Sequence, residues 1–503
     1  MADRTNTDPA RMEKIVSLCK RRGFIFQSAE IYGGLNGCWD YGPMGVELKR
    51  NLKEYWWRKN VQEREDVVGM DGSILTHNSV LVASGHVGGF SDPMCDCLLT
   101  KERLRADQVP AQSGMGFFYT GAAKKDGSWN IEKKYSVLVE SEKQADKARK
   151  TAAQYYAQLA GKDASYKDME LKGECMETVT DSTMYNPANG SLLTEAREFN
   201  LMFKTTIGAT SDENDPNATG WLRPETAQSI FCQYKNILDS SRVKLPFGIA
   251  QIGKSFRNEI NPRNFTFRSR EFEQMEIEYF CRPEDGLRLV DEWLEHRLCF
   301  YDEVGVPREH IHILDVPDGE RAFYSKKTYD LEYEFPFGIQ ELEGIAYRTD
   351  YDLSCHQKGS GRPLEYFDEE TREKFIPHVV EPSAGCDRTI LAIICEAYDE
   401  EELVDDKGKK DVRTVLRFVP RMAPIKAAIF PLLKKNGEQV RIARRYRRQD
   451  EVGTPFCITV DFETLGENDA SLKGTVTIRH RDSMKQERVA IEDLLHWLIA
   501  RIR

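Results

Sequence analysis

Between Phe247 and Phe280 the chain reads strand, loop, strand, and this stretch limits the possible folds more than any other. Phe247 to Phe256 (FGIAQIGKSF) is an apolar run of strand length, and Phe267 to Phe280 alternates in part, as a half-buried antiparallel strand does. Four arginines, Arg257, Arg263, Arg268 and Arg270, fall within fourteen residues of this unit. Arg257 precedes the loop and Arg268 follows it, so the chain reversal and the period of two bring both heads toward one face. Guanidinium forks match phosphate oxygens. Phe272 on that face is placed to cover a flat ring. An exposed cross-strand network of Arg and Glu is the plainer reading of any such hairpin taken alone.

A second constellation is EPSAGCDRTI at 381–390. Its small residues let backbone approach a ligand, and Arg388 opens an apolar helix. A helix N-terminus is already electropositive, so a cation added there makes sense with an anion opposite. Third, carboxylates recur inside otherwise apolar strings: Glu225 in WLRPETAQ, Glu276 in FEQMEIEYF, Glu341 in IQELEGIA, and Glu381. Singly each reads as a surface carboxylate; together they suit an ammonium group, or a cation bound to phosphates.

The chain's 503 residues suggest two to four domains at roughly 100–200 residues each. Its hydrophobic content of 40 % excludes a disordered chain. No apolar run approaches the ~18 residues of a membrane-spanning helix, and Met1 to Ala10 does not read as a signal peptide. A net charge of −11 excludes a wholly basic surface but not a basic patch. The twelve cysteines are scattered rather than set in a disulfide framework, which points to a reducing, cytoplasmic home.

Along the chain, Arg11–Arg22 has helical spacing. Pro43 opens a second helix whose apolar face runs from Val46 to Val61. Residues 108–195 are rich in Lys, Asp, Ser and Ala and read as an insertion, with an exposed amphipathic helix at 141–160. The charged run Asp399 to Lys410 reads as a loop or boundary. Strands at 425–433, 456–462 and 474–478 and a helix at 491–502 make a small C-terminal α/β domain.

These strings resemble the class II aminoacyl-tRNA synthetases, and among them the homodimeric glycyl-tRNA synthetase (glycine–tRNA ligase) family. The Gly-Pro turn and helix at 42–64 resemble its first signature motif. FRNE at 256–259 with FRSREF at 267–272 resembles the second, and EPSAGCDR at 381–388 the third. WLRPETAQSIF, FEQMEIEYF, ELEGIAYRTDYDL and VASGHVGGFSDP resemble its glycine-specific strings, and RRYRRQDEVGTPFCITVDF at 444–462 its anticodon-domain signature. The resemblance implies an α+β fold, an antiparallel sheet flanked by helices. Residues 1–107 and 196–405 would form the catalytic core, 108–195 the insertion, 406–420 a linker and 421–503 a shortened anticodon-binding domain.

It further implies that glycine and ATP give glycyl-adenylate, with transfer to tRNA(Gly), in a cytoplasmic homodimer. Arg257 would hold the α-phosphate and the glycine carboxylate, with Arg268 and Arg388 on the outer phosphates; these three arginines are the catalytic candidates. The implied ATP site extends over Asn258, Glu259, Phe267, Ser269, Arg270, Glu271 and the stacking Phe272. It continues through Glu341 and Leu342 to Gly385, Cys386 and Asp387, and Mg2+ accompanies ATP, with Glu341 as a contact. Glu225, Glu276, Glu381 and Ser383 would surround the glycine ammonium. Neighbouring glycine-site candidates are Arg105, Phe272, Glu273, Gln274, Met275, Pro382, Ala384 and Gly385.

Two departures from the family stand out. Where relatives carry two Cys-x-x-Cys pairs suited to zinc, this chain has Cys97 and Thr100, then Asn186 and Asn189, so no structural zinc is expected. The C-terminal domain is also short by about one α/β unit before RRYRRQD, which predicts an unpaired or rearranged sheet edge. Residues 434–448 still hold seven basic side chains and one acidic one, suited to tRNA phosphates. Two other functions fit less of the pattern. A non-catalytic nucleic-acid-binding accessory protein has no use for three phosphate-binding arginines. A glycine-activating enzyme without efficient tRNA charging is permitted by the short C-terminal domain.

Overall fold

The computed structural model describes residues 7–208, 218–404, 408, 410–431 and 438–502, with 438–444 described by backbone alone. Its contacts divide the chain into two compact units. One comprises 1–84, 203–257 and 262–503; the other comprises 85–202 with Asn258–Asn261.

The first unit is built on a seven-stranded sheet. In chain order its strands are β1 (Val67–Gly69), β2 (Phe247–Phe256), β3 (Glu271–Cys281), β4 (Ile311–Asp315), β5 (Lys327–Phe335), β6 (Gly338–Thr349) and β7 (His378–Gly385). They lie in the order β4-β5-β6-β7-β3-β2-β1, every neighbouring pair antiparallel except β2 with β1. The expected hairpin supplies its fifth and sixth strands, next to the β1 edge, with Phe247 opposite Phe280 and Phe256 opposite Glu271. Its second strand starts at Glu271 rather than Phe267. Asn264 and Phe265 have φ of 59° and 58°, so Phe265–Phe267 coils into a 3-10 turn before the chain extends.

Among the helices packed around this sheet are α1 (Pro43–Trp57), α2 (Ala227–Ser241), α3 (Gly286–Val304), α4 (Tyr351–Ser360) and α5 (Cys386–Ala397). Pro43 sits in the first turn of α1, as the sequence suggests. Gly45 is required there, because a Cβ would stand 1.9 Å from the Phe24 carbonyl oxygen. Along β3, Met275, Ile277 and Tyr279 join the core shared with α3 and α5, while Phe280 packs with Ile230, Phe231 and Tyr234 of α2 on the opposite face.

The C-terminal part carries a four-stranded sheet, Ala427–Pro431, Phe456–Val460, Thr475–His480 and Gln486–Ala490 in spatial order, the first pair parallel. Ala427–Pro431 pairs on one side only among the described residues, and Ile429 there is 66 % exposed. Helix Glu438–Val452 ends in buried Asp450, which accepts from Arg413 Nε and Arg479 Nη1, both at 2.9 Å. Residues 434–437 of the basic stretch fall outside the described residues. The charged run at 399–410 holds a strand rather than a loop. Tyr398–Val404 pairs with Lys410–Leu416, which itself lies within the stretch expected as a linker. Burial alternates along Tyr398–Val404 although four acids follow one another there, and charges pair across the ribbon, as buried Arg413 does with Glu401 at 2.7 Å.

In the second unit, Cys175–Ser182, Gln112–Lys124 and Asn130–Val139 form a sheet, with Met169–Lys172 also paired to the long middle strand. The helix expected at 141–160 spans Ala145–Ala160 and is less exposed than its composition suggests. Ala148, Ala152, Tyr155 and Tyr156 are buried, because alanines let the helix backbone approach the sheet closely.

Candidate active site

On β3 the alternation puts Phe272, Gln274, Glu276 and Glu278 on one face and Glu273, Met275 and Ile277 on the other. Arg257 follows β2 directly. Its guanidinium carbon lies 5.4 Å from the centre of the Phe272 ring, its Nε donates to the Pro224 carbonyl at 3.2 Å, and its backbone N–H donates to Arg270. A half-buried guanidinium beside an aromatic face, on an open strand end, is suited to a nucleotide. Arg268, also half-buried, is tied back to Arg263 across the loop by its backbone N–H.

Arg388, in the first turn of α5, donates through Nε to the Phe267 carbonyl at 3.2 Å, and its Nη1 lies 3.4 Å from Glu341 Oε2. Its guanidinium covers the Phe267 ring at 4.5 Å. Glu341 is not alone: across β5 and β6, Asp330 and Glu332 face it. Burial, reinforced by Glu341 and Glu332, pushes the Asp330 carboxyl up to about 7, with Arg388 opposing. Among the described residues these three do not bring one oxygen each within 4.8 Å of one another, so they add negative charge beside Arg388 without forming a closed donor set for a cation. Asp330 and Glu332 escape a reading of motifs, because only the pairing of β5 with β6 brings them to Glu341.

The predicted glycine carboxylates do meet. Ser383 Oγ donates to Glu276 Oε1 at 2.7 Å, and Thr226 Oγ1 donates to Glu276 Oε2. Gln274 Nε2 reaches Ser383 Oγ at 3.4 Å. Glu381 receives both of its bonds from Arg348 Nη1, at 2.9 Å each, while Arg348 Nε and Nη2 bind Asp352 at 2.8 and 2.9 Å. Gln228 Nε2 donates to Glu225 Oε1 at 2.9 Å and to Asp352 Oδ1 at 3.2 Å, and His356 contacts its Oε1. Burial raises the Glu381 carboxyl to about 8 against the pull of Arg348; burial and then Glu225 raise that of Glu276. Acids so crowded, with one arginine among them, favour a small cation. Arg348, Asp352, Thr226 and Gln228 were not singled out from sequence. The Arg-x-x-x-Asp spacing at 348–352, a buried i,i+4 pair, was the available signal.

Several predicted positions turn away from this face. Met275, Leu342, Ala384 and Cys386 belong to the apolar core, so only their backbones can face a ligand. Glu273 pairs with Lys53 and, at 3.0 Å, with Lys49 of α1. Asp387 accepts from Tyr41 Oη at 2.6 Å, Lys49 Nζ at 2.8 Å and the Glu273 backbone N–H at 2.7 Å. Burial alone would raise its carboxyl; the Lys49 charge and these bonds hold it below the usual carboxylate range. It thus clamps α1 and β3 to the start of α5. Ser269 donates to the Thr266 carbonyl, Arg270 to Asn36, and Glu271 pairs with Lys254. Pro382 is buried on β7, opposite Ile345, and half-buried Gly385 caps α5.

Asn258, Glu259 and Arg105 belong to the second unit. Arg105 Nη1 lies 2.7 Å from Asp92, its Nη2 donates to Asp107 at 2.7 Å, and Glu259 adds to the negative charge around it. In the same unit, of the four positions at which the resemblance leads one to look for cysteine pairs, Thr100 and Asn189 contact the thiol of Cys97 and Asn186 does not. Thr100 donates its backbone N–H to Cys97 Sγ at 3.5 Å, and Asn189 Nδ2 lies 3.8 Å from that sulfur. Asn186 donates to Glu102 at 3.2 Å. One thiol, a threonine and two carboxamides engaged in turns do not fit a tetrahedral zinc ion.

Comparison with known proteins gives two matching families. "tRNA synthetase class II core domain (G, H, P, S and T)" matches residues 204–398, and "Anticodon binding domain" matches 427–501. The glycine–tRNA ligase of Clostridium perfringens is 47 % identical over 96 % of this chain and 97 % of its own length. Those of Rhodopirellula baltica and Deinococcus radiodurans are each 44 % identical over 98 % of this chain and 99 % of theirs.

Proposed function

The chain belongs to the glycine–tRNA ligase family of class II synthetases, an enzyme family that joins glycine to tRNA, and from that premise we propose how its own residues divide the reaction. The observation that carries the assignment is the pairing of two arrangements on the β3 face: Arg257 over Phe272, and the Glu276–Ser383–Glu381 pocket farther along the same strand.

Glycine enters with its ammonium group among Glu225, Glu276 and Glu381, which points its carboxylate along β3 toward Arg257. ATP lies with its adenine on Phe272 and its α-phosphate at Arg257. A glycine carboxylate oxygen attacks the α-phosphorus, the new P–O bond forms as the bond to the bridging oxygen breaks, and pyrophosphate leaves. Such in-line transfer needs alignment and charge neutralisation rather than a covalent nucleophile. Arg257 neutralises the charge growing on the α-phosphate, while Arg268 and Arg388 hold the departing phosphates. Magnesium, which generally accompanies ATP in this class, would be held on the outer phosphates with Glu341, the contact that the resemblance implies, and would supply further charge neutralisation there. Glu259 and Arg105 remain candidates, for the adenine amino group and the substrate respectively, on the resemblance alone.

The test is ATP–pyrophosphate exchange with each of the twenty amino acids, followed by charging of total tRNA. Exchange and charging with glycine alone are expected. No exchange with any amino acid would overturn the assignment, and exchange without charging would place the fault in residues 421–503.

Residues 421–503 are the proposed tRNA-reading part, with the basic stretch 434–448 on phosphates. A cytoplasmic homodimer, with α1 at the interface, completes the reading. Sedimentation should give a mass near twice the 57.8 kDa of one chain, and a single-chain mass at micromolar concentration would refute the dimer.

A further inference from the structure

Glu278 follows Glu276 on the same face of β3 and has no part in the steps above. It is fully buried, and among the described residues neither of its carboxyl oxygens has a hydrogen-bond partner. On one side it meets apolar residues. Ile249 is its partner across β2 and Phe280 is next on its face, both in the cluster around Phe231 and Leu353. On the other side, one oxygen each from Glu276, Glu278 and Glu381 lie within 4.8 Å of one another.

The supply of donors decides which of these three keeps a proton. Glu276 receives the hydroxyls of Thr226 and Ser383, and Glu381 receives Arg348. Glu278 receives nothing, and an ionised carboxylate without donors against Ile249 and Phe280 is the costliest of the three to maintain. Among the groups around it, the carboxyls of Glu381, Glu276 and Asp352 add to that cost and the Arg348 guanidinium offsets part of it. Glu276 stands on its own strand, Glu381 on β7, Arg348 on β6, and Asp352 and His356 on α4. Glu225 precedes α2, and Tyr324 precedes β5, its ring 4.1 Å from the Arg348 guanidinium. Five carboxyl groups thus surround one guanidinium. Burial first, then Glu381, hold the Glu278 carboxyl well above the usual range.

We propose that Glu278 is a neutral carboxylic acid, unpartnered while the pocket is empty, that donates its hydrogen to the Glu276–Glu381 pair once a bound ammonium group draws those two carboxyls to their ionised form. The proposal rests on the ammonium reading of that pocket and adds to it a positioning residue that touches the carboxylates, not the substrate. No bond is made or broken: Glu278 keeps its proton with the pocket empty or filled.

Two variants of the full chain test this, Glu278→Leu and Glu278→Gln, each assayed for the glycine and ATP dependence of pyrophosphate exchange. Leucine suits the apolar neighbours and removes a buried unpartnered group, so its thermal midpoint should equal or exceed that of the native chain. It should nonetheless raise the glycine KM by about tenfold or more, since a charge-assisted bond is lost, with the ATP KM unchanged. Glutamine, a neutral donor of the same shape, should restore most of the glycine affinity. The infrared carbonyl band of a protonated carboxylic acid should be present in the native chain at neutral pH and reduced in Glu278→Gln. A native glycine KM in Glu278→Leu, glutamine as damaging as leucine, or an infrared band unaffected by the glutamine change would each overturn the proposal. A native chain that fails to exchange with glycine would overturn the ammonium reading instead, and the proposal with it.

Discussion

Replacing Arg257 by alanine is expected to lower glycine-dependent ATP–pyrophosphate exchange by about a thousandfold, the scale set by removing one preorganised charge from a phosphoryl-transfer site. The loss should fall on turnover, with the fold intact. Arg257 is half-buried, and its backbone N–H bond to Arg270 at 2.9 Å survives in alanine. Its side chain packs against Phe272, a ring that itself remains half-exposed, so little core is disturbed. Arg257→Lys separates charge from shape. Lysine keeps the positive charge but loses the planar fork that can hold two oxygens at once, so its activity should fall between the two. Stopped-flow pyrophosphate release under single-turnover conditions reads the chemical step directly. Native turnover in Arg257→Ala would mean that the α-phosphate is held elsewhere and that the hairpin arginines are a surface network.

The hairpin is legible in sequence because its two long strands follow one another along the chain and carry strand-length apolar runs, although the loop of residues 257–270 between them is long. The acidic strings were legible for a different reason. Glu225, Glu276 and Glu381 sit in apolar surroundings where carboxylates need a purpose. What could not be read was the side of the strand. Met275, Ala384 and Cys386 fall inside the same motifs as site residues, yet the period of two sends their side chains into the core. Asp387, beside Arg388, is spent on Tyr41 and Lys49, a contact that depends on how α1 docks. Arg348, Asp330 and Glu332 were missed because each acquires its meaning from a neighbouring strand. The strand at Tyr398–Val404 reads in sequence as a loop or boundary because four consecutive acids, Asp399 to Glu402, hide the alternation that only burial shows.

The largest effect on stability is expected at Arg348. Arg348→Met keeps the length of the stem and removes the only arginine bonded to both Glu381 and Asp352 among the described residues. Arg348 and Asp352 are nearly inaccessible, with side-chain exposures of 3 % and 1 %. Breaking a buried ion pair by removing one partner leaves uncompensated charge and costs about 3–5 kcal/mol. The pH dependence gives the cause. The folded pKa of Glu381, about 8, already lies above its ordinary 4.5, chiefly through burial. A carboxyl raised on folding favours the native state at low pH, fully so below its unfolded pKa, and that contribution is lost as pH rises through the folded value. Removing Arg348 raises the folded pKa further, since Arg348 is what opposes burial. At pH 8 the variant must therefore hold Glu381 protonated or unpaired, whereas near pH 5 most of the group is protonated in both proteins. The gap in thermal midpoint between native chain and variant should be widest at pH 8 and shrink toward pH 5. Scanning calorimetry across that range measures it. A gap that stayed constant with pH would show that the methionine harms packing against Tyr324 and Phe231 rather than the charge balance of the pocket.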